Sequence, residues 1–260
     1  MLASAPIPWA DVNDVLALLL ARQRALLGEL LVGLYLYGSL ATGDFDRASS
    51  DIDFVAATTV TLDEAAVAEL RALHAEIAAS GGTWGRRLEG AYLPLAALRR
   101  DEPARRQHPF LSETTPFGVF ALGVDWVINR STLRERGVVV YGPAPATLID
   151  PVTPAELTAA VRVLLRDEWR SFGDGSDAQH AQRFWQAFAV LTMCRALYAL
   201  DHAEIISKPA AAQWAEQHLP LEWAPLIRRA LAWRHDKQPD TPALPETLRF
   251  IQYALGRAQV

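Results

Sequence analysis

The feature that most constrains this chain is the stretch of residues 35–55, YLYGSLATGDFDRASSDIDFV. An apolar run ends at Gly38, and a second short run, 51–57, begins with two aspartates separated by one residue. Both runs have the composition and the flanking residues of strands. Because side chains alternate along a strand, Asp51 and Asp53 are predicted to project from the same face of a sheet.

These residue types favour a phosphate anchor next to a metal platform. Two neighbouring carboxylates raise each other's pKa unless a cation neutralises them, and Mg²⁺ commonly takes one or two carboxylates together with substrate phosphates. Gly38 allows close approach of the backbone. Ser39 adds a hydroxyl beside the free N–H groups of a turn, and both suit phosphate oxygens. The alternative without a functional site is a common Gly-Ser pair followed by an exposed turn that carries two aspartates.

The first 150 residues are predicted to form an α/β domain, in which helices alternate with the strands of a small mixed sheet. Amphipathic spacing predicts helices over 10–28 and 62–79. The predicted strands are 30–37, 51–57, 83–94 and 124–129.

The remaining residues, 151–260, carry helix signals only and are predicted to form an all-α bundle. Thr153 and Glu156 form a capping box around Pro154, which takes the first helical position. The domain boundary is therefore placed near Pro151. The predicted helices cover 154–171, 178–201, 208–218, 221–234 and 244–258, with Ser207 as the cap of the third.

Composition and charge argue against several classes of function. The formal net charge is −5, so no basic surface is expected to hold a nucleic-acid backbone. No apolar run reaches the ~18 residues of a membrane span, and the first residues lack the basic segment of a signal peptide. The only cysteine, Cys194, lies in an apolar run and is predicted to be buried, which fits a cytoplasmic protein.

The order Gly-Ser, spacer, Asp-x-Asp before an apolar strand resembles the signature of the nucleotidyltransferase superfamily, which has the polymerase-beta-like fold. The resemblance implies two-metal transfer of a nucleoside monophosphate from a nucleoside triphosphate, with pyrophosphate as the leaving group. It also implies that Ser39 contacts the triphosphate and that Asp51 and Asp53 hold Mg²⁺.

Members of that superfamily usually have a third carboxylate on a later strand, and Glu89 in GRRLEGAYL is the candidate here. Glu89 is expected to act as a metal ligand or as the general base, since the attacking hydroxyl must lose a proton. The structural alternative is an ion pair with Arg86 or Arg87.

The helical half more closely resembles the C-terminal domain of the aminoglycoside adenylyltransferases that act on streptomycin and spectinomycin. The resemblance lies in VLTMCRALYALDHAEIISKPAAAQWAEQHLP, residues 190–220, and in the interdomain segment 138–152. It implies that Arg195 and Lys208 bind the triphosphate.

Arg195 is also a candidate on physical grounds. It lies in an otherwise uncharged run, and a buried guanidinium needs an anionic partner. An internal ion pair with Glu168 or Glu204 is the alternative.

The chain departs from that family where the acceptor is expected to bind. Enzymes of the family that act on streptomycin carry acidic residues shortly before the helix arginine, and the matching positions here are Ala181 and Trp185. Asp174 and Asp177, a turn or more earlier, are possible substitutes. The segment 95–122 matches the family poorly.

The sequence therefore predicts an ATP- and Mg²⁺-dependent adenylyltransferase that acts on a hydroxyl of a small acceptor, with an aminoglycoside or aminocyclitol favoured by resemblance. Two alternatives stay open. One is an adenylyltransferase that acts on a protein, as in toxin–antitoxin pairs, and the other is a non-catalytic nucleotide-binding protein on the same scaffold.

Overall fold

The computed structural model describes residues 6–80, 82–100, 107–170 and 178–259. The chain forms two compact units. One contains Met1–Phe45 and Ser50–Pro151, and the other contains Val152–Val260 together with the short segment Asp46–Ser49.

The first unit is built on a six-stranded mixed sheet. Its strand order is β5-β4-β3-β2-β1-β6, and only the central pair, β2 and β3, runs parallel. The predicted order of a mixed-sheet α/β unit followed by helices is thus confirmed. The strands are β1 (Leu31–Leu36), β2 (Ile52–Thr58), β3 (Leu88–Pro94), β4 (Gln107–Leu111), β5 (Gly118–Ala121) and β6 (Val138–Tyr141).

In the described part of the first unit, α-helices accompany this sheet. They are α1 (Ala10–Leu27), α2 (Gly38–Thr42), α3 (Glu64–Ser80), α4 (Gly82–Gly85), α5 (Leu95–Arg99), α6 (Asp125–Arg136) and α7 (Pro145–Leu148).

The two faces of the sheet belong to different cores, as the two-residue period of a strand requires. Phe54 and Ala56 of β2 join a core formed with α1 and α3. Val55 and Ala57 point the other way, into a core that includes Trp126 of α6. We call this second side of the sheet the α6 face.

The predicted strand over 124–129 is wrong, because these residues open helix α6. The short apolar run VDWVIN fits either period when it is considered alone. Buried residues recur at helical spacing, at Trp126, Arg130 and Leu133, and this spacing identifies the segment as a helix.

The predicted strand over 83–94 is only partly right, since its first residues form the short helix α4 and the strand begins at Leu88. The prediction also missed β4, β5 and β6. Each has four or five residues, too few to show a clear alternation of apolar and polar side chains.

The second unit is helical, and its central helix is α9, which packs against the three helices that follow it. The capping box of Thr153 and Glu156 is present, and Ser207 caps the helix that begins at Lys208. Cys194 is fully buried, as predicted. The helices are α8 (Pro154–Leu164), α9 (Arg183–His202), α10 (Lys208–His218), α11 (Ala224–Ala232) and α12 (Leu244–Ala258).

Three predicted helices of this unit begin or end elsewhere. The one predicted over 221–234 opens with a 3₁₀ turn, Leu221–Trp223, and ends at Ala232. The one predicted over 154–171 stops at Leu164 and continues as a π-helical turn, Leu165–Trp169, while residue 171 lies outside the described part. The one predicted to start at residue 178 opens with a 3₁₀ turn, Ala178–Ala181, before α9. No helix in the described part of the chain is long and apolar enough to cross a lipid bilayer.

Candidate active site

The sheet topology brings Asp53 and Glu89 next to each other. They are direct register partners in the parallel pair of β2 and β3, one residue into each strand. Val55 and Ala91, two residues further along, lie in the core of the α6 face. Because the period of a strand is two, Asp53 and Glu89 extend that same face at the edge of the sheet where both strands begin.

The turn after β1 lies against the first of these carboxylates. The backbone N–H of Tyr37 donates a hydrogen bond to the Asp53 carbonyl oxygen at 3.1 Å. Gly38, with φ +59°, then begins helix α2, and a β-carbon at this position would overlap the Asp53 carboxylate. Ser39 is the second residue of α2. Gly38 and Asp53, apart in sequence, thus form one compact corner.

The side chains of Glu89 and Asp51 interact directly. Burial raises the pKa of Glu89 to about 7, and the charge of Asp51, a hydrogen bond to Asp51 and the charge of Asp125 add to the effect. When Glu89 is protonated, its carboxyl O–H donates this hydrogen bond to the Asp51 carboxylate. A carboxyl group that titrates near neutral pH is suited to proton transfer.

Two further residues of this corner were not singled out from the sequence, Tyr37 and Asp125. Tyr37 is buried, and its pKa is held well above its ordinary value by burial first and then by the charges of Asp53, Glu89, Asp125 and Asp51. The Tyr37 ring lies 5.9 Å from that of Trp126, which follows Asp125 in α6.

The sequence signal for Asp125 is visible once α6 is recognised as a helix. An acidic residue in the first turn before an amphipathic run marks a helix start. The Asn129 side chain, one turn later, donates to Asp125 Oδ2 at 3.4 Å.

The predicted alternative for Glu89, an ion pair with Arg86 or Arg87, is not present among the described residues. The Arg87 guanidinium lies over the Trp84 ring, 5.5 Å from its centroid. The groups that shift the pKa of Glu89 are carboxylates.

The fit to Mg²⁺ rests on the donor set. Carboxylate oxygens are the ligands this ion prefers, and the carboxylates of Asp51, Asp53 and Glu89 share one edge of the sheet. Within the described residues, no three His, Cys, Asp or Glu side chains are already arranged as a complete metal site. The hydrogen bond between Glu89 and Asp51 occupies oxygen atoms that a metal would use.

In the helical unit, Arg195 lies in the middle of α9 and Lys208 is the first residue of α10. Arg195 is half-buried rather than fully buried, because the helical period brings it to the edge of an otherwise buried stretch. Glu204, one of its predicted ion-pair partners, accepts a long hydrogen bond of 3.5 Å from the Tyr198 hydroxyl. The Lys208 ammonium lies over the ring of Phe188, 4.1 Å from its centroid.

The two positions matched to acidic residues carry no charge here. Ala181 ends a 3₁₀ turn, and its carbonyl oxygen accepts a hydrogen bond from Gln186 Nε2 at 3.0 Å. The Trp185 ring packs edge-on against Phe188, at 5.7 Å between centroids. Asp174 and Asp177 lie outside the described residues.

Comparison with known proteins points to one group of enzymes. The family described as aminoglycoside adenylyltransferase, C-terminal domain, matches residues 147–255. The chain is 28% identical over 241 residues to an aminoglycoside (3'') (9) adenylyltransferase of Klebsiella pneumoniae, with 87% of each protein covered. It is 23% identical over 214 residues to a spectinomycin 9-adenylyltransferase of Staphylococcus aureus, with 78% of this chain and 77% of that protein covered.

A solved structure extends the similarity to the fold. The chain aligns with spectinomycin adenyltransferase AAD(9) from Enterococcus faecialis, crystallised with ATP and spectinomycin, at a TM-score of 0.72. The alignment covers 95% of this chain and 99% of that one at 15% identity. At this identity the comparison shows a shared fold, and it does so for nearly the whole chain.

Proposed function

We propose that this chain, which resembles aminoglycoside adenylyltransferases over most of its length, transfers AMP from ATP to a hydroxyl of a small aminoglycoside-like or aminocyclitol-like acceptor. The observation that carries the proposal is the register pairing of Asp53 with Glu89 beside the Gly38 turn. That corner combines carboxylates with a backbone turn shaped for close approach.

In this proposal the residues of the first unit have separate roles in metal binding, proton transfer and phosphate contact. Asp51 and Asp53 hold Mg²⁺, and Glu89 either completes the metal site or takes the proton of the attacking hydroxyl. When bound, Mg²⁺ neutralises charge on the triphosphate and aligns it for displacement. Gly38 keeps the turn close to the Asp53 carboxylate, and Ser39 contacts the phosphates with its hydroxyl.

The proposed reaction is an in-line displacement at the α-phosphorus of ATP. The acceptor oxygen forms a bond to that phosphorus, the bond to the bridging oxygen breaks, and pyrophosphate leaves. The hydroxyl proton moves to Glu89, whose pKa of about 7 lies near the operating pH of a cell. Arg195 and Lys208 of the helical unit bind the triphosphate and stabilise its negative charge.

Pyrophosphate release from ATP and Mg²⁺, measured across a panel of aminoglycosides and aminocyclitols, tests the proposal. We expect release with at least one acceptor and an acceptor mass increased by one AMP. Asp51→Ala and Asp53→Ala should abolish release while leaving the fold intact, because each removes a metal ligand from the edge of the sheet.

Three outcomes would contradict the proposal or one of its parts. Unchanged turnover in either aspartate variant would remove the metal assignment. AMP attached to a protein, with no small acceptor modified, would favour the protein-directed alternative. ATP binding without any transfer would favour the non-catalytic alternative.

A further inference from the structure

The helical unit places the Lys208 ammonium on an aromatic stack. Its Nζ lies 4.1 Å from the centroid of the Phe188 ring, within the range of a cation–π interaction. That ring is itself held on two sides. Trp169 stacks on it at 5.8 Å with an angle of 28°, and Trp185 meets it edge-on at 5.7 Å. The position of the Phe188 ring is therefore fixed by its neighbours.

The place of Lys208 in its helix is unfavourable for a cation. Lys208 is the first residue of α10, directly after the Ser207 cap, where the helix dipole presents its positive end. The face of the Phe188 ring compensates for this by attracting the ammonium through its quadrupole.

The same face of α9 carries two further polar groups. Phe188, Thr192 and Arg195 are spaced four and three residues apart, so they follow one another along one side of the helix. Thr192 is 7% exposed, and its side-chain Oγ1 has no hydrogen-bond partner among the residues that the structure describes. A buried hydroxyl without a partner is destabilising, and a ligand oxygen would supply one.

We propose that Phe188 is a positioning residue that holds the Lys208 ammonium beside Thr192 and Arg195, so that this side of α9 forms a seat for a polyphosphate. The inference rests on the proposed function, in which Arg195 and Lys208 bind the triphosphate of ATP. It adds Phe188, which acts through Lys208, and Thr192, whose hydroxyl donates to a phosphate oxygen.

A fluorination series separates the electrostatic role of the Phe188 ring from its packing role. Mono-, di- and trifluorinated phenylalanine at residue 188 weaken the ring quadrupole stepwise while changing the side-chain volume little. We expect the affinity for inorganic tripolyphosphate and for a non-hydrolysable ATP analogue, measured by calorimetry, to fall with each fluorine. The expected total loss is about 3- to 10-fold. In a Lys208→Met background the same series should be flat.

Thr192→Val provides an independent check. Valine has nearly the same shape and lacks the hydroxyl, so the free enzyme should be at least as stable as the wild type. The affinity for tripolyphosphate should nevertheless fall. Unchanged affinity in Thr192→Val would overturn the role of the hydroxyl.

The outcomes distinguish this inference from the function on which it rests. If Lys208→Met weakens binding while the fluorinated proteins bind like the wild type, the role of Phe188 is wrong and the nucleotide site survives. If fluorination tightens binding, the ring competes with phosphate for Lys208, and the inference is also overturned. If the wild-type protein binds neither probe, the proposed function itself fails.

Discussion

Gly38 lies directly against the side chain of Asp53, so that a β-carbon at residue 38 would overlap the carboxylate. The left-handed φ of +59° at Gly38 adds a second reason for glycine at this position. The Gly-Ser pair and the Asp-x-Asp pair of the sequence motif are thus in contact, because Gly38 leaves the space that the Asp53 carboxylate fills.

Gly38→Ala should therefore reduce activity far more than stability. We expect kcat/KM to fall about 10²-fold, because the methyl group displaces the Asp53 carboxylate from its place. Gly43→Ala is the matched control. Its φ of +75° imposes a similar backbone strain of about 1–2 kcal/mol, but nothing lies within 4 Å of its β-carbon. Urea unfolding and steady-state kinetics on both variants test this, and equal losses of activity would show that strain alone is responsible.

Glu89→Gln should inactivate the enzyme and stabilise it at the same time. With Glu89 as the proposed general base, its replacement should lower turnover by about 10²–10⁴-fold. The raised pKa of Glu89 means that the native state favours the protonated form. The stabilising effect of Glu89 is therefore complete below its ordinary pKa of 4.5 and is lost as the pH rises through about 7.

The stability gain expected for Glu89→Gln follows from the upward direction of the Glu89 pKa shift. Because glutamine does not ionise, metal-free Glu89→Gln should unfold at higher urea concentration than the wild type at pH 8. The difference should be up to about 3 kcal/mol and should shrink towards zero near pH 4. A variant less stable than the wild type at pH 8 would show that Glu89 has a structural partner instead.

Asp125→Asn tests the carboxylate that only the folded structure reveals. Removing its charge should lower the pKa of Glu89, because Asp125 is one of the groups that raise it. Metal-free Asp125→Asn should then be more stable than the wild type at pH 8. In a Glu89→Gln background the same substitution should lose this effect, and a double-mutant cycle measures the coupling. Equal effects in both backgrounds would mean that Asp125 acts elsewhere.

The residues of the candidate site differ in how far they could be predicted from the sequence. Asp51 and Asp53 were singled out because a period-two strand fixes the face on which a side chain lies, and that rule needs no tertiary information. Glu89 was singled out because the superfamily that the chain resembles usually has a third carboxylate on a later strand. Asp125 was missed because VDWVIN is too short to separate a strand from a helix start. The raised pKa of Glu89 depends on burial and on the carboxylates of Asp51 and Asp125, which come from two other segments of the chain, and no sequence pattern encodes such convergence.

His74 should make the stability of the first unit depend on pH in acid. It is buried, its Nε2 lies 2.8 Å from the Tyr92 hydroxyl, and Gln23 donates to the same hydroxyl at 2.8 Å. Burial lowers the pKa of His74 from 6.5 to about 4, so the native state favours the neutral ring. The stabilising effect is thus complete above pH 6.5 and is lost between pH 6.5 and about 4.

The size of the effect follows from the shift in pKa. The free energy of unfolding should fall by about 3 kcal/mol across that range. His74→Gln should lack this component, although it lowers stability at neutral pH by disturbing the bond to Tyr92. Urea unfolding at half-unit steps of pH measures both curves, and parallel curves would exclude His74 as the source.

The last prediction concerns the acceptor. Streptomycin carries guanidinium groups, and burying a cation without a carboxylate in reach costs several kcal/mol in desolvation. At the two positions where the family resemblance expects acidic residues, this chain has Ala181, whose carbonyl bonds to Gln186, and Trp185, whose ring packs on Phe188. A tryptophan face would recover only about 0.5–2 kcal/mol.

Streptomycin should therefore be a poor substrate relative to spectinomycin, with kcat/KM lower by about 10²-fold, as the lost ion pair implies. Ala181→Asp should raise kcat/KM for streptomycin about tenfold by restoring a carboxylate, and Ala181→Asn, which has the same shape without the charge, should not. Pyrophosphate release with both drugs measures the ratio in all three proteins. Equal turnover of the two drugs by the wild type would show that another carboxylate supplies the anchor and that the prediction is wrong.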